Sequence, residues 1–405
     1  MDDFLKMIST GYLGDRRPQR DSKGASRPAV MGDSPVGCRD SSRGASGRPG
    51  AAGGGVGRRI PPAQRRVVQK LLFKMKTNLW HYTTLDGLKG ILSQNNIWGT
   101  DYRHLNDSSE INYSKHILYQ EVFPKILDTI DFESIKNPRA EEFIENSGGI
   151  KEFAKQETKS TLDILYKALL ESPDLPNIPF VASFCKANLD NKILQRNGLL
   201  SQWRGYGKDG GYSIIFNMDK LIEDFKEEQI NYWHGISGHG HVVYNQDMLL
   251  RDESLKKALD LITSYAHHVY QGRIDNNNFN EPTEQHTDAI VKCMMLLKHE
   301  GFIEESEYRF YTFSYLKGAE KNEQFSRDKV LYKDKTFKEM CTRNCGGTLV
   351  PYIKLFESTK GLPIEKICVG PHRDKRLRVK SLKEYLIDLG LTRIKIDCSD
   401  IPYIG

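Results

Sequence analysis

Two carboxylates, Glu305 and Glu307, stand two residues apart and are followed at once by Tyr308 and Arg309. On a strand, side chains at i and i+2 leave the same face, so the pair forms either a two-carboxylate site or a solvated edge. In glycosyl transfer a fixed carboxylate beside the anomeric carbon stabilises the positive charge that grows as the leaving group departs. Taken alone, the segment reads by default as a half-exposed surface strand with Arg309 as a salt-bridge partner. Its company changes that reading. His81-Tyr82-Thr83 closes an apolar strand, where a lone histidine is ordinarily a satisfied core residue. Alternation puts His81 opposite Trp80 and Tyr82, so if those two face the core, His81 faces a cleft. Its neutral ring can then donate to a sugar hydroxyl while the backbone holds the other nitrogen. Thr83 offers a hydroxyl or serves helix entry.

Two further segments fit the same kind of site. Asn106-Asp107-Ser108-Ser109-Glu110 reads as a capping box, with Asp107 as N-cap and Glu110 at the third helical position. Arg103 lies close enough in sequence to meet a pyrophosphate if that loop lines the cleft, since a guanidinium grips phosphate oxygens in pairs. Ser201-Gln202-Trp203-Arg204-Gly205-Tyr206-Gly207 combines a hydroxyl, an amide, two aromatics and a base. Its glycines permit close backbone approach, and a flat aromatic can stack on a nicotinamide ring. The glycines do not have dinucleotide-fingerprint spacing, and there is no P-loop. Cys341-x3-Cys345 and Cys368-x3-His372 supply the ligand types of a zinc site. Cys368 lies in an apolar strand, however, and Cys345 precedes a Gly-Gly turn, so no metal is assigned. His234, His239 and His241 read as a polar loop.

These residues need elements to hold them. Leu79 to Tyr82 predicts a strand, and Thr84 the N-cap of a helix carrying Leu85, Leu88, Ile91 and Leu92. A short strand at Ile97 to Thr100 follows. Residues 108 to about 172 read as a helical insertion, broken near Asn137-Pro138 and Ser147-Gly148-Gly149 and ended by prolines before 179. Strands are expected at 179–185, 212–216, 305–313, 349–356, 364–369 and 393–396, with helices around 248–272, 283–299 and 374–389. This order argues an α+β domain over 75–405, mainly antiparallel, with helical insertions at about 108–172 and 248–299.

The chain of 405 residues carries a formal charge of +6. Residues 1–74 hold 15 Lys and Arg against 6 Asp and Glu, leaving 44 against 47 for the remainder. The basic part is Gly-, Ser-, Arg- and Pro-rich and reads as a disordered extension. The vocabulary changes after Met75, so the functional protein is expected to begin near there, with a nucleic-acid tether as the alternative role for residues 1–74. A near-neutral remainder weakens any inference to nucleic acid from charge. No apolar run suits a membrane span or secretory signal, and seven scattered cysteines suit reduced thiols, so a cytoplasmic location is expected.

From Leu79 to about Tyr403 the chain resembles the bacterial family catalogued as domain of unknown function 2971. The motifs that carry the resemblance are His81-Tyr82-Thr83, Leu105-Asn106-Asp107 with Glu110, Ser201-Gln202-Trp203 before Tyr206-Gly207, Gly211-Tyr212, Glu305-x-Glu307-Tyr308-Arg309, Val369-Gly370-Pro371 and the Ser399 to Tyr403 stretch. The first segment is also similar to the opening of DNA-targeting ADP-ribosyltransferase toxins. That resemblance implies a split antiparallel fold of that type and NAD as substrate. It implies His81 on the adenosine ribose, Tyr206 or Tyr212 near nicotinamide, Glu307 as catalytic carboxylate and Glu305 on the acceptor. Tyr82, Thr83, Arg103, Asn106, Ser201, Trp203 and Arg204 complete the expected dinucleotide-binding set. A toxin or phage-defence role follows, with a nucleic-acid or protein acceptor and an inhibitory or activating partner. Against this stand a non-catalytic binding module and a metal-dependent nuclease or hydrolase built on Asp107, Glu110 and the Glu pair.

Overall fold

A computed structural model describes residues 77–105, 110–134, 137–170, 178–186, 191–275, 282–318, 335–357 and 361–402. The expected disordered extension, together with Asn106 and Asp107, lies outside the described residues. What is described is mixed α+β, built on one open sheet. Its strands are β1 (Asn78–Thr83), β2 (Ile97–Asp101), β3 (Ile178–Lys186), β4 (Tyr212–Asn217), β5 (His234–His241), β6 (Glu307–Ser314), β7 (Cys341–Cys345), β8 (Thr348–Leu355), β9 (Ile364–Val369) and β10 (Lys395–Cys398). The order is β10-β9-β4-β1-β3-β2-β8-β7, with β6 on the other side of β3 and β5 beyond it. Among these described strands, the β9–β10 pair is parallel and the rest are antiparallel.

The sheet forks at β3. One edge of β3 pairs along its length with β6. The other edge is shared: Lys186 and Cys185 pair with Leu79 and Trp80 of β1, whereas Val181 and Phe180 pair with Thr100 and Asp101 of β2. Between these contacts the two strands part. His81 to Thr83 pair only with β4, Ile97 to Gly99 only with β8, and Ala182 to Phe184 have no strand on that edge. Helix α1 (Leu85–Gln94) joins the two arms, capped by the Thr84 hydroxyl as its sequence predicts. A Cβ on Gly87 would strike Thr83 Oγ1, and one on Gly90 would press on the Trp98 ring at 3.3 Å, so the helix lies tight against both arms.

Alternation along the strands divides the core. One face carries Leu79, Phe184, Ile214 and Phe310, covered by Leu88 and Ile91 of α1, by Leu221 and Phe225 of α7 (Met218–Asn231) and by Leu382 and Leu386 of α11 (Lys375–Asp388). The opposite face carries Val181, Tyr311 and Phe313, covered by α2 (Glu110–Ser134), α4 (Ile150–Leu170), α9 (Glu253–Ile274) and α10 (Glu284–Leu296). The short helix α3 (Pro138–Asn146) lies between α2 and α4, and α8 (Gln246–Arg251) precedes α9. Trp80, Tyr82, Cys185 and Ile215 form a smaller cluster closed by Trp203 of α6 (Leu200–Tyr206), which follows α5 (Lys192–Asn197).

Both helical insertions, the breaks near 137 and 148, and the β9 span agree with the pattern. Three expectations do not survive. The 305–313 segment is not a half-exposed strand: it starts at Glu307 and every residue to Ser314 is buried, because helices cover one face and aromatic residues the other. The histidine-rich 234–241 segment is no loop but a strand on β6, where Gly238 admits the Tyr311 ring and Gly240 the Leu296 side chain. Helix α7 follows β4 where no element was expected.

The turn preceding β4 is packed as tightly as the core. A Cβ on Gly370 would lie 1.6 Å from the Gly210 carbonyl oxygen. Gly370→Ala should therefore cost about 1–3 kcal/mol through forced backbone shifts. A lower urea midpoint with an unchanged m-value would show it; an unaltered midpoint would mean that the turn does not seat β9 in this way.

Candidate functional site

Glu305 and Glu307 do not share a strand. A 3-10 turn over Glu300–Glu305 ends in Ser306 with φ 44°, and the strand begins only at Glu307. The turn nonetheless delivers both carboxylates to one ammonium. Lys298 Nζ lies 2.7 Å from Glu305 Oε2, 3.2 Å from Glu307 Oε2 and 3.4 Å from Glu110 Oε1. Arg309, two residues along the same strand face, clamps the inner pair. Its Nε donates to Glu307 Oε1 (2.7 Å) and Nη2 to Glu307 Oε2 (3.0 Å). Its Nη1 and Nη2 donate to the two Glu110 oxygens, each at 2.8 Å, and Nη1 also to the Met295 carbonyl (2.9 Å). All five guanidinium protons are thus used.

Burial alone would raise the Glu307 carboxyl. The charges of Arg309 and Lys298, with hydrogen bonds from Arg309 and the Ser183 hydroxyl, overcome it and hold the group at about 2 against an ordinary 4.5. Lys298 and Arg309 are both pushed up: burial works against their charge, and Glu307 leads the opposing attraction. Lys298 therefore stays an ammonium and is no nucleophile. It also fills the position where three carboxylates converge, which is the position a divalent cation would need in the metal-dependent reading.

Ser183 links this cluster to the fork. Its hydroxyl serves Glu307, and its carbonyl is 3.1 Å from His81 Nδ1. A carbonyl only accepts, so Nδ1 carries the proton and Nε2 is left as an acceptor. Burial lowers the His81 pKa, the Ser183 carbonyl opposes this, and Arg343 lowers it further, so the ring is neutral near pH 7. The expected donor to a sugar hydroxyl is thus an acceptor from one. His81 and Glu307 leave opposite faces of the sheet: His81 stands beside Ile214 and Glu307 beside Cys185, which belong to clusters on different faces.

On the Glu307 face a cavity of about 190 Å³ opens between β1 and the α5–α6 connection, lined by Trp80, Tyr82, Cys185, Leu199, Glu304 and Ser306. Burial, then Glu305 and Glu307, push the Cys185 thiol up to about 12, which places both carboxylates close behind this wall.

The other expected residues are distributed as follows. Tyr82 is buried, accepts from the Leu199 amide (3.0 Å) and meets Trp203 edge-on at 4.8 Å. Trp203 is fully buried, its indole donating to the Asn197 carbonyl (2.8 Å), so it presents no face to a ligand. Ser201 and Arg204 are exposed on α6, and Tyr206 is half-buried against the Trp203 cluster. Thr83 and Tyr212 pair across β1 and β4 on the His81 face, Tyr212 being buried there. Arg103, exposed, is bound to the buried Asp101 through Nε (3.0 Å) and Nη2 (2.6 Å). Glu110 begins α2 and its carboxylate meets Arg309 and Lys298; the expected capping box with Asp107 involves residues outside the described ones. Five strands separate Cys341 and Cys345 on β7 from Cys368 on β9, so those cysteines cannot share a zinc ion. Sequence reasoning passed over Lys298 and Ser183. Neither has a motif: the β3–β6 pairing brings Ser183 to Glu307, and the turn over Glu300–Glu305 folds Lys298 back onto it.

Residues 202–310 match the model of a family described as a protein of unknown function (DUF2971). The match supports that family for the stretch from α6 to β6, which includes Lys298, Glu305, Glu307 and Arg309 but neither His81 nor Ser183. No curated protein and no solved structure matched the chain. Among the described residues, no helix is long and apolar enough to cross a membrane.

Two outcomes follow from the buried cluster. Arg309→Met leaves Glu110 and Glu307 facing each other with Lys298 as their remaining cation, and should cost about 3–5 kcal/mol in urea unfolding. A loss below about 1 kcal/mol would mark the cluster as solvated. The depressed Glu307 pKa gives stability that is complete above pH 4.5 and lost as pH falls toward 2. Urea midpoints measured across that window should fall less steeply in Glu307→Gln than in the parent, and equal slopes would remove Glu307 as the source.

Proposed function

We propose that the protein cleaves the nicotinamide–ribose bond of NAD and passes the ADP-ribosyl group to a macromolecular acceptor or to water. The observation that carries this reading is a shielded carboxylate held ionised at neutral pH, Glu307, behind the wall of an aromatic-lined cavity at the apex of a forked sheet. The finer fold assignment, a split sheet of the ADP-ribosyltransferase kind, belongs to the same proposal and is supported by the parting of β1 and β2 from β3.

In this mechanism the N-glycosidic bond breaks with its electron pair leaving on nicotinamide, and positive charge develops on the ribose C1′. The fixed negative charge of Glu307 stabilises that cation without reorganising, since Arg309, Lys298 and Ser183 already hold it. Glu305 is the more accessible carboxylate, with Lys298 as its ion-pair partner, and takes the proton from the acceptor hydroxyl or amine as that group bonds to C1′. His81 accepts from a ribose hydroxyl through Nε2 at the fork, working from the other face. A toxin or phage-defence effector under the control of a partner is the biological setting that suits such an activity.

A second reading has its own observation. Both Glu307 oxygens and every Arg309 proton are already satisfied within the protein, which suits a structural ion cluster in a non-catalytic binding module. Incubation of the full chain with labelled NAD, with and without cell lysate, separates the two. Nicotinamide release should fall by about 100-fold or more in Glu307→Gln, on the scale of removing a fixed charge from a shielded site. Glu305→Gln should keep release and lose label transfer to the acceptor. Undiminished release in a Glu307→Gln protein shown to be folded by its unfolding curve would end the catalytic assignment, and no release under any condition would put the binding module first.

A further inference from the structure

The fork has a second wall that the carboxylate chemistry does not use. Arg343 on β7 reaches back over β8 to β2, where its Nη2 donates to Thr100 Oγ1 at 3.0 Å. Its guanidinium carbon lies 5.4 Å from the centre of the Trp98 ring. Thr100 is the residue at which β2 leaves β3, so the guanidinium stands at the mouth of the fork, opposite the His81 arm.

Arg343 differs from Arg309. Arg309 spends all its protons on carboxylates and a carbonyl, whereas Arg343, half-buried, makes one side-chain hydrogen bond, to a neutral hydroxyl, and has no carboxylate within ion-pair distance among the described residues. Burial leads the lowering of its pKa, as expected for a cation deprived of water and given no counter-charge. Its field crosses the gap, because it is one of the groups that lower the His81 pKa. The Trp98 indole nitrogen is buried without a partner. The β3 edge at Ala182 to Phe184 has no strand beside it, and His81 Nε2 is an open acceptor. A half-buried cation with no carboxylate partner, beside an indole donor that is unused, makes an anion site where β2 leaves β3.

We propose that the mouth of the fork takes the diphosphate of a nucleotide, with Arg343 as the phosphate-binding residue, positioned by Thr100 and Trp98. This rests on the NAD reading for its direction, with the nicotinamide end in the cavity at the apex. Val181, opposite Thr100, and Cys185, at the cavity wall, are four residues apart on β3, or about 13 Å, enough to separate a nicotinamide ring from a diphosphate. The site asks for a dinucleotide or a nucleoside diphosphate sugar in preference to a lone base or nucleoside. Arg103, which its sequence position suggested for this contact, is held by Asp101 and is not needed.

Isothermal titration of the full chain with ADP-ribose, inorganic pyrophosphate and nicotinamide riboside tests this apart from catalysis. ADP-ribose and pyrophosphate should bind, and Arg343→Met should weaken both by about tenfold or more, the scale of a lost charge-assisted hydrogen bond. Arg343→Lys should fall between, keeping charge but losing the paired donors. Nicotinamide riboside, which has no diphosphate, should bind parent and variant alike. Equal anion affinity in a folded Arg343→Met protein, or no anion binding by the parent, would overturn the proposal. Anion binding that depends on Arg343 without any NAD cleavage would leave this site standing and fail the catalytic reading alone.

Discussion

The double clamp of Arg309 on Glu110 and Glu307 is the contact on which the site depends. Three separate elements meet there: the first residue of α2, the first residues of β6 and the end of α10 through the Met295 carbonyl. Charges this deeply buried persist only when paired and fully hydrogen-bonded, and the planar fork of arginine meets both demands. The helical layer is therefore tied to the sheet by geometry as well as by apolar packing. An apolar replacement of the whole set would hold the layers together but would leave no ionised carboxylate behind the cavity.

The second constraint is the shared edge of β3. A strand edge that serves two partners must leave backbone uncovered where they part, and buried backbone groups need partners. One of them, the Ser183 carbonyl, is met by the His81 ring, which sets the tautomer of that ring. Ser183 thereby faces two ways, toward the histidine with its backbone and toward Glu307 with its hydroxyl. This joins two residues whose side chains leave opposite faces of the sheet, and it gives the fork a defined chemistry from apex to mouth.

Much of the fold was legible along the chain because its signals are local. The Thr84 cap, the breaks at Asn137-Pro138 and Ser147-Gly148-Gly149, and the apolar run of β9 each act over a few residues and appear where expected. Strand β5 was not legible, since Gly238, His239 and Gly240 look like a loop until Tyr311 and Leu296 are seen to need the space. The 305–313 strand was legible in position and wrong in exposure, because alternation of charged and aromatic residues is the same for a solvated face and for a buried ion cluster.

By itself the sequence determined the local helices and strands, the family likeness over residues 202–310 and the presence of the E-x-E-Y-R segment. The tertiary structure decided what those residues do to one another. It gave Glu307 and Glu110 to one arginine, placed Lys298 among three carboxylates, buried Trp203, paired Arg103 with Asp101 and set His81 on the far face. The reason is physical: a cap or an apolar period acts within a few residues, whereas the ion cluster and its burial also depend on segments as far apart as the 199 residues between Glu110 and Arg309, which only the folded chain brings within reach.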